Sequence, residues 1–218
     1  MNIPTVYLVD DDAIVRESVS LLLETAGFKV ECHASAEEFL AVWHPERPGC
    51  LLLDMLMPGM SGEELQVELN HRNARLPIIF MSAFGDVPTT VRAMQGGAVD
   101  FLTKPVNGAD LIERVRGTLA REREARQAEA LRQDFQARLQ KLTEREREIL
   151  ALALAGRSNK EIAQLLGISF RTIEVHRSHL FLKTGVRSLL ELTRMATEVG
   201  IRITAAESLT ISVRGPDA

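Results

Sequence analysis

Five short apolar segments alternate with helix-forming segments through the first 120 residues, and this alternation constrains the fold more than any other feature. The segments predicted as strands are Thr5 to Val9, Lys29 to His33, Leu51 to Leu53, Ile78 to Met81 and Val99 to Leu102. Strands that alternate with helices form parallel sheets whose right-handed crossovers place helices on both faces. We therefore predict an α/β doubly wound domain with a five-stranded parallel sheet over residues 1–120.

Capping residues and apolar spacing predict where the helices begin and which face of each is buried. Thr143 and Glu146 form a capping-box pattern, and Asn159 is predicted to cap the helix that follows. The buried face of the first helix is predicted from four residues at helical spacing: Ile14, Leu21, Leu22 and Ala26.

Polar residues follow four of the five predicted strands. Asp10 and Asp11 follow the first strand, Asp54 the third, Ser82 the fourth and Lys104 the fifth. The carboxyl ends of parallel strands meet at one edge of the sheet, where ligands bind. Three carboxylates that meet there repel each other unless a cation lies among them, and an open site with oxygen ligands suits Mg²⁺. The pattern therefore predicts a Mg²⁺ site that includes the three aspartates.

Asp54 has two interpretations when its own stretch is considered alone. It ends the apolar run Leu51 to Leu53, and Pro58-Gly59 breaks the chain four residues later. It either caps the loop after its strand or acts as a nucleophile that takes a phosphoryl group. In the second case a metal and Lys104 would offset charge on the transferred oxygens, and Ser82 would donate a hydrogen bond to them. The other polar residues at strand ends favour the phosphoacceptor.

Charge is distributed unevenly along the chain and predicts two domains with different partners. Residues 1–120 carry 17 acids and 9 bases, whereas residues 141–218 carry 9 acids and 12 bases. Residues 142–199 are predicted as an all-α domain of four helices in a helix-turn-helix arrangement. Its mild excess of bases suits contact with the phosphate backbone of double-stranded DNA.

The segment 121–141 lacks Gly and Pro and is predicted as a helix that continues the last helix of the first domain. Four apolar residues lie near heptad spacing in and just after it: Ala128, Leu131, Phe135 and Leu142. This pattern is typical of a solvated linker helix or of a short coiled coil between two copies, and we favour the linker. The tail 200–218 shows no clear period and predicts no function.

Cysteine usage and hydropathy indicate the cellular compartment. Cys32 and Cys50 lie far apart and form no C-x-x-C motif, so we expect free thiols in a reducing compartment. No apolar run approaches the roughly 20 residues of a membrane span, and the N-terminus lacks a signal-peptide pattern. We expect a soluble, cytoplasmic protein with no membrane partner.

The first 120 residues resemble the receiver domain of two-component response regulators. The matching motifs are V-D-D at 9–11, Asp54 followed by M-P-G at 57–59, S-A at 82–83 and Lys104-Pro105, and the stretch 82–88 is most similar to the FixJ-type branch. The resemblance implies phosphotransfer from a sensor histidine kinase to Asp54. It also implies that Asp11, Asp54 and the Leu56 carbonyl hold Mg²⁺, that Asp10 acts through water, and that the Lys104-Pro105 bond is cis.

Phe101 lies where the receiver family has its switch aromatic. The resemblance implies that phosphorylation draws Ser82 inward and that Phe101 follows, which changes the surface around residues 88–105. From the residues alone, Phe101 is instead a core residue. Many relatives have Thr where this chain has Ser82, and Ser keeps the hydrogen bond but loosens the rotamer preference.

Residues 142–199 resemble the LuxR-type DNA-binding domain. The matching motifs are L-T-x-R-E at 142–146, G-x-S-N-K-E-I-A at 156–163, G-I-S at 167–169 and T-I-E-V-H at 172–176. The family places the helix that begins near Phe170 in the major groove. The residues implied to contact DNA are Lys160, Ser169, Arg171, Thr172, Glu174, Val175, Arg177, Ser178 and Lys183. Glu174 either accepts a hydrogen bond from a cytosine amino group or is only solvated.

Together these features predict a response regulator transcription factor of the FixJ/NarL type. We expect phosphorylation of Asp54 to promote a homodimer that binds DNA sequence-specifically. A phosphohydrolase is disfavoured because Leu56 stands where haloacid-dehalogenase enzymes have a second Asp. A constitutive DNA binder with a degenerate receiver is disfavoured because the acids and Lys104 are intact. We expect no enzyme activity beyond acceptance and slow loss of the phosphoryl group.

Overall fold

A five-stranded parallel sheet forms the centre of the N-terminal part of the chain. The structure is a computed structural model that describes residues 3–83 and 87–198. The strands are β1 (Thr5–Val9), β2 (Lys29–His33), β3 (Gly49–Asp54), β4 (Ile78–Ser82) and β5 (Asp100–Thr103). Their order is β2-β1-β3-β4-β5, and each neighbouring pair is parallel. The predicted fold class is confirmed.

The chain divides into two compact units, Met1–Arg126 and Gln127–Ala218. The helices of the first are α1 (Ala13–Thr25), α2 (Ala36–Val42), α3 (Gly62–His71) and α4 (Val87–Gln95). Helix α5 (Gly108–Gln140) is continuous and runs through the division between the units. The second unit then adds α6 (Glu144–Leu154), α7 (Asn159–Leu166), α8 (Phe170–Thr184) and α9 (Leu189–Glu198).

Side-chain caps fix the starts of several helices. The Thr143 hydroxyl accepts the backbone N–H of Glu146, and the Glu146 carboxylate accepts the backbone N–H of Thr143, as the sequence predicts. The prediction that Asn159 caps α7 is wrong. Ser158 is the N-cap because its hydroxyl accepts the N–H of Glu161, so Asn159 is the first helical residue.

The sheet of the first unit is buried on both faces. One core cluster contains Tyr7, Phe39, Leu53 and Phe80, and the opposite cluster contains Leu8, Leu52, Leu111 and Val115. All six residues of β3 are buried, which explains why its sequence is a continuous apolar run that ends in Asp54.

The predicted buried face of α1 is partly wrong. Ile14 is 78% exposed and Leu21 is 64% exposed, whereas Leu23 is fully buried. Leu22 packs against the core as predicted. The run of three leucines at 21–23 covers more than half of the helix circumference, so apolar spacing alone does not select the buried face.

The second unit has its own helical core, and the end of α5 belongs to it. Phe135 is 1% exposed and Leu139 is 5% exposed, and both lie in one cluster with Leu142 and Leu180. Leu131 is 66% exposed. Of the residues at near-heptad spacing, Phe135 and Leu142 therefore pack within their own chain.

One sequence prediction concerns membrane spans, and others fall on residues that the structure does not describe. None of the helices in the ranges 3–83 and 87–198 is both long and apolar enough to cross a membrane. The tail 200–218, the predicted last residue of the last helix at 199, and residues 84–86 of the FixJ-like stretch lie outside the described residues.

Two glycines of the first unit should respond oppositely to alanine. A Cβ at Gly49 would collide with the carbonyl oxygen of Thr5 on the paired strand, whereas a Cβ at Gly117 in α5 meets nothing within 4 Å. We expect Gly49→Ala to lower the free energy of unfolding by about 1–3 kcal/mol and Gly117→Ala to raise it by about 0.5–1 kcal/mol. Urea unfolding followed by fluorescence of Trp43, the single tryptophan, measures both. A Gly49→Ala protein as stable as the wild type would contradict this packing.

Candidate functional site

Three carboxylates lie together at the C-terminal edge of the sheet. Asp10 and Asp11 follow β1 and Asp54 ends β3, and one oxygen atom from each lies within 4.8 Å of the others. The register Val9↔Leu53 brings the ends of these neighbouring strands to the same level. Asp10 is fully buried and Asp54 is 7% exposed, while Asp11 is exposed. The structure thus brings together the acids that the strand ends indicate.

Lys104 lies between two of these carboxylates. Its Nζ is 2.6 Å from Oδ2 of Asp10 and 3.0 Å from Oδ2 of Asp54. Its backbone N–H donates to the carbonyl of Ser82 at 2.7 Å, which links the ends of β4 and β5. The Lys104-Pro105 bond is cis, which confirms the expectation from the resemblance. One ammonium against three carboxylates leaves the site negative when all are ionised.

Burial and neighbouring charges shift the pKa values of Asp54 and Lys104. Burial raises the pKa of the Asp54 carboxyl and the Asp10 charge adds to it, although Lys104 and the Leu56 N–H act in the opposite direction. Burial acts to lower the pKa of Lys104, but its hydrogen bonds to Asp10 and Asp54 outweigh burial and raise it. Lys104 therefore stays cationic at neutral pH.

Leu56, Ser82 and Phe101 take different positions near the carboxylates. The backbone N–H of Leu56 donates to the Asp54 carboxylate, while its side chain is 60% exposed. Ser82 is buried at the end of β4, and a pocket of about 130 Å³ lies beside it. Phe101 in β5 is half-buried and packs on the core, with its ring centroid 6.5 Å from that of Phe80. Phe101 lies two residues before the end of its strand, whereas Ser82 is the last residue of β4.

The donor set of the acid cluster fits Mg²⁺. Carboxylate oxygens are the hard ligands that this ion prefers, and exposed Asp11 leaves room for the waters that it keeps. Asp10 has both oxygens engaged, since Oδ1 accepts the N–H of Asp12 and Oδ2 bonds to Lys104. Asp12 does not join the cluster, because its carboxylate caps α1 through the N–H of Ile14 at 2.8 Å.

Helix α8 presents an exposed stripe on the side away from its core. Arg171, Val175 and Ser178 lie along this stripe at spacings of four and three residues. Glu174 is exposed beside them, and its backbone carbonyl accepts the Ser178 hydroxyl at 2.9 Å. Three of the residues that are predicted to contact bases or phosphates are therefore exposed on one side of α8.

The remaining predicted DNA contacts divide into capping, exposed and engaged residues. Ser169 is the N-cap of α8 and accepts the N–H of Thr172 at 3.1 Å. Lys160 is exposed in the first turn of α7. Arg177 hydrogen-bonds Asn159, and its guanidinium lies over the Phe181 ring at 5.6 Å. Arg177 therefore joins α8 to α7 within the unit.

Lys183 is also engaged within the unit. Its Nζ bonds to Oε2 of Glu146 at 2.7 Å, and Glu146 is only 3% exposed. Burial acts to raise the pKa of Glu146, but hydrogen bonds from Lys183 and Thr143 outweigh it and lower the pKa. This contact makes Lys183 a link between α8 and α6.

Sequence reasoning missed two residues of this unit. The capping box reveals the local role of Glu146 but not its pairing with Lys183, 37 positions away. Arg138 in α5 donates to the carbonyl of Thr184 at 3.2 Å. Arg138 stands in a segment where charges of both signs alternate, so no sequence signal distinguishes it from its neighbours.

Comparison with known proteins identifies a family for each of the two units. Residues 6–116 match the response regulator receiver domain, and residues 140–196 match the bacterial regulatory proteins of the luxR family. The transcriptional regulatory protein FixJ of Azorhizobium caulinodans is 45% identical over 196 residues, which cover 90% of this chain and 93% of that protein. This chain belongs to the FixJ/NarL family of response regulators. It is a FixJ-type transcription factor, and its receiver and helix-turn-helix domains imply in general terms a kinase and DNA as partners.

Other proteins support the same assignment of this response regulator. FixJ of Rhizobium meliloti is 43% identical over 90% of this chain and 96% of its own length. Among solved structures, the response regulator StyR has a TM-score of 0.82 and 44% identity, covering 89% of this chain and 98% of that one. Full-length FixJ from B. japonicum has a TM-score of 0.57 and 39% identity, covering 93% and 100%.

Removal of Lys183 should destabilise the second unit, whereas removal of exposed Lys160 should not. Lys183→Ala leaves the nearly buried Glu146 carboxylate without its cation, so we expect the free energy of unfolding to fall by about 1–3 kcal/mol. Lys160→Ala should change it by less than about 0.5 kcal/mol. Circular dichroism in urea measures both, with the transition of the first unit assigned by Trp43 fluorescence. Equal stabilities of the two variants would contradict a structural role for Lys183.

The effect of Lys183→Ala should depend on pH. Because folding lowers the pKa of Glu146 from its ordinary value of 4.5, the stabilisation is complete above that value and is lost as the pH falls through the lower folded value. The difference between wild type and Lys183→Ala should therefore shrink below about pH 4.5. The same urea experiment repeated at pH 7 and pH 3.5 checks this, and a constant difference would argue against the pair.

Proposed function

We propose that Asp54 accepts a phosphoryl group from a sensor histidine kinase and that this modification promotes dimerisation and sequence-specific DNA binding. The observation that carries the proposal is the geometry around Asp54. Its carboxylate lies 3.0 Å from the Lys104 ammonium and within 4.8 Å of oxygens from Asp10 and Asp11. A carboxylate in this setting has a cation beside it and a metal-binding set next to it, which is what an aspartyl phosphate requires.

The transfer is a displacement at phosphorus. An oxygen of the Asp54 carboxylate forms the new P–O bond and the P–N bond to the kinase histidine breaks, while solvent supplies a proton to the departing imidazole nitrogen. The Lys104 ammonium offsets charge on the phosphoryl oxygens. The Leu56 N–H orients the Asp54 carboxylate before attack. Mg²⁺ held by Asp11 and Asp54 would supply further charge neutralisation.

The DNA-binding part of the proposal is supported by the exposed stripe of α8. Arg171, Val175 and Ser178 leave this surface uncovered within the second unit. Reading-helix side chains of this kind contact base edges and phosphates in the major groove. One such helix contacts few base pairs, so two copies on two half-sites bind more strongly and more selectively than one.

The dimerisation part is supported by exposed apolar side chains on α4 and just before β5. Val91 is 45% exposed, Met94 is 44% exposed and Val99 is 38% exposed. These side chains lie within the region that the family changes on phosphorylation. We propose no catalytic role beyond phosphoryl acceptance and slow loss, since Leu56 follows Asp54 at the position where a phosphohydrolase needs an acid.

The mass in solution should rise when a phosphoryl mimic binds. Light scattering with Mg²⁺ and beryllofluoride, which stands in for the phosphoryl group on Asp54, should change a monomer into a dimer. Asp54→Ala should stay monomeric under the same conditions, because it lacks the acceptor oxygen. A wild-type mass that does not respond would rule out dimerisation as the output of this site.

Alanine variants of the neighbouring residues Asp11 and Asp12 should distinguish metal binding from helix capping. Asp11→Ala should weaken Mg²⁺ binding at least about tenfold by isothermal titration calorimetry, because a first-contact oxygen is lost. Asp12→Ala should keep the Mg²⁺ affinity but lower the free energy of unfolding by about 1 kcal/mol, because α1 loses its cap. Mg²⁺ binding that is insensitive to Asp11→Ala would remove Asp11 from the metal set.

A further inference from the structure

The end of helix α5 contacts the last turn of helix α8, the proposed DNA-reading helix. We infer that Arg138 of α5 is a positioning residue that holds α8 in its reading orientation. On this inference the segment just before residue 142, which the sequence assigns to a linker, takes part in DNA recognition. The inference rests on the proposed DNA binding and names a residue that controls it.

The contact is a hydrogen bond to the C-terminus of α8. Nη1 of Arg138 donates to the carbonyl of Thr184, the last residue of the helix, at 3.2 Å. The last carbonyls of a helix have no partner within the helix, and a cation is favoured near them. Thr184 is fully buried with this contact in place, so Arg138 shields its carbonyl from water. Arg138 therefore satisfies a group that would otherwise be unpaired.

Two neighbouring residues hold the Arg138 guanidinium in place. Asp134, one turn earlier on α5, pairs with Nη2 of Arg138 at 2.6 Å. Gly185 follows α8 with φ of +74°, and a Cβ at this position would collide with Nη1 of Arg138. Glycine thus both ends the helix and leaves the space that the guanidinium occupies.

The lysine of α8 itself does not perform this capping role. Lys183 is directed to Glu146, so the cation at the helix end comes from α5 instead. The core supports the same arrangement, because Phe135 and Leu139 of α5 share a cluster with Leu180 of α8. Apolar contacts allow small shifts, whereas the directional bonds of Arg138 and Lys183 fix the last turn of α8.

The position of this last turn determines where the exposed stripe faces. Arg171, Val175 and Ser178 belong to the same uninterrupted helix as Thr184. If the C-terminal anchor is lost, the helix tilts about its remaining contacts and the stripe meets the bases less accurately. Phosphate contacts tolerate such a shift better than base contacts, because only base contacts depend on precise donor and acceptor positions.

The test compares full-length variants that carry the same charge change. Arg138→Ala removes the anchor, and Arg132→Ala removes an exposed arginine from the same helix as a matched control. Each protein, activated with Mg²⁺ and beryllofluoride, is incubated with a random-sequence DNA duplex pool. Affinities are then measured for the duplex that wild type enriches and for a scrambled duplex of the same composition.

We expect Arg138→Ala to lose at least about tenfold in the ratio of specific to non-specific affinity, while Arg132→Ala keeps the wild-type ratio. Both variants should bind the scrambled duplex with similar affinity, because both have lost one positive charge. Arg138→Lys should recover part of the ratio. Lysine keeps a donor and a positive charge, but it lacks the fork of N–H groups with which Arg138 reaches both Thr184 and Asp134.

If Arg138→Ala fails to fold, Asp134→Ala tests the inference in its place. Asp134 has a side chain that is 56% exposed, so its loss should not unfold the unit, but the guanidinium is then held less firmly. We expect a ratio between those of wild type and Arg138→Ala. If wild type enriches no sequence, the proposed DNA binding fails and this inference fails with it. If wild type is selective and Arg138→Ala and Asp134→Ala keep its ratio, the inference alone is overturned.

Discussion

Repulsion among carboxylates is the constraint on which the first unit depends. The order of the strands places β1 beside β3, so Asp10 and Asp54 lie at the same edge of the sheet. Buried charges of one sign are unfavourable unless a counter-charge reaches them. Lys104 directly follows the edge strand β5 and supplies that charge at 2.6 Å from Asp10 and 3.0 Å from Asp54. The same excess of negative charge that strains the site is what suits it to a divalent cation.

The second unit uses charge differently, as a means of orientation. Its helices are short, and its core consists mainly of aliphatic side chains that constrain direction only weakly. Polar contacts add the missing direction. Arg177 bonds to Asn159 of α7, and Lys183 bonds to nearly buried Glu146 of α6. Both basic residues therefore serve the unit before any DNA is present, and the outward surface of α8 is left to other side chains.

The sequence was sufficient where structure depends on local pattern. Each strand in the described residues lies within two residues of its predicted bounds, because buried apolar runs end at polar residues. The acid cluster follows from the shared edge of parallel strands. The sequence was insufficient where two local choices were equivalent. Ser158 and Asn159 are both good caps, and the leucines at 21–23 offer more than one face. No pattern in the sequence indicates the hydrogen bond between Arg138 and Thr184, because a contact between residues distant in sequence leaves no periodic signal.

The continuity of α5 has a consequence for how such proteins are divided and recombined. Family boundaries and turn patterns suggest a cut near Leu142, but that cut would discard Phe135 and Leu139 from the core they complete. A hybrid that joins this DNA-binding unit to another regulatory domain would therefore be joined upstream of Phe135, within residues 127–134. Residues added to the helix before Phe135 leave the contacts of Phe135 and Leu139 unchanged, so a joint placed there keeps the core of the second unit complete.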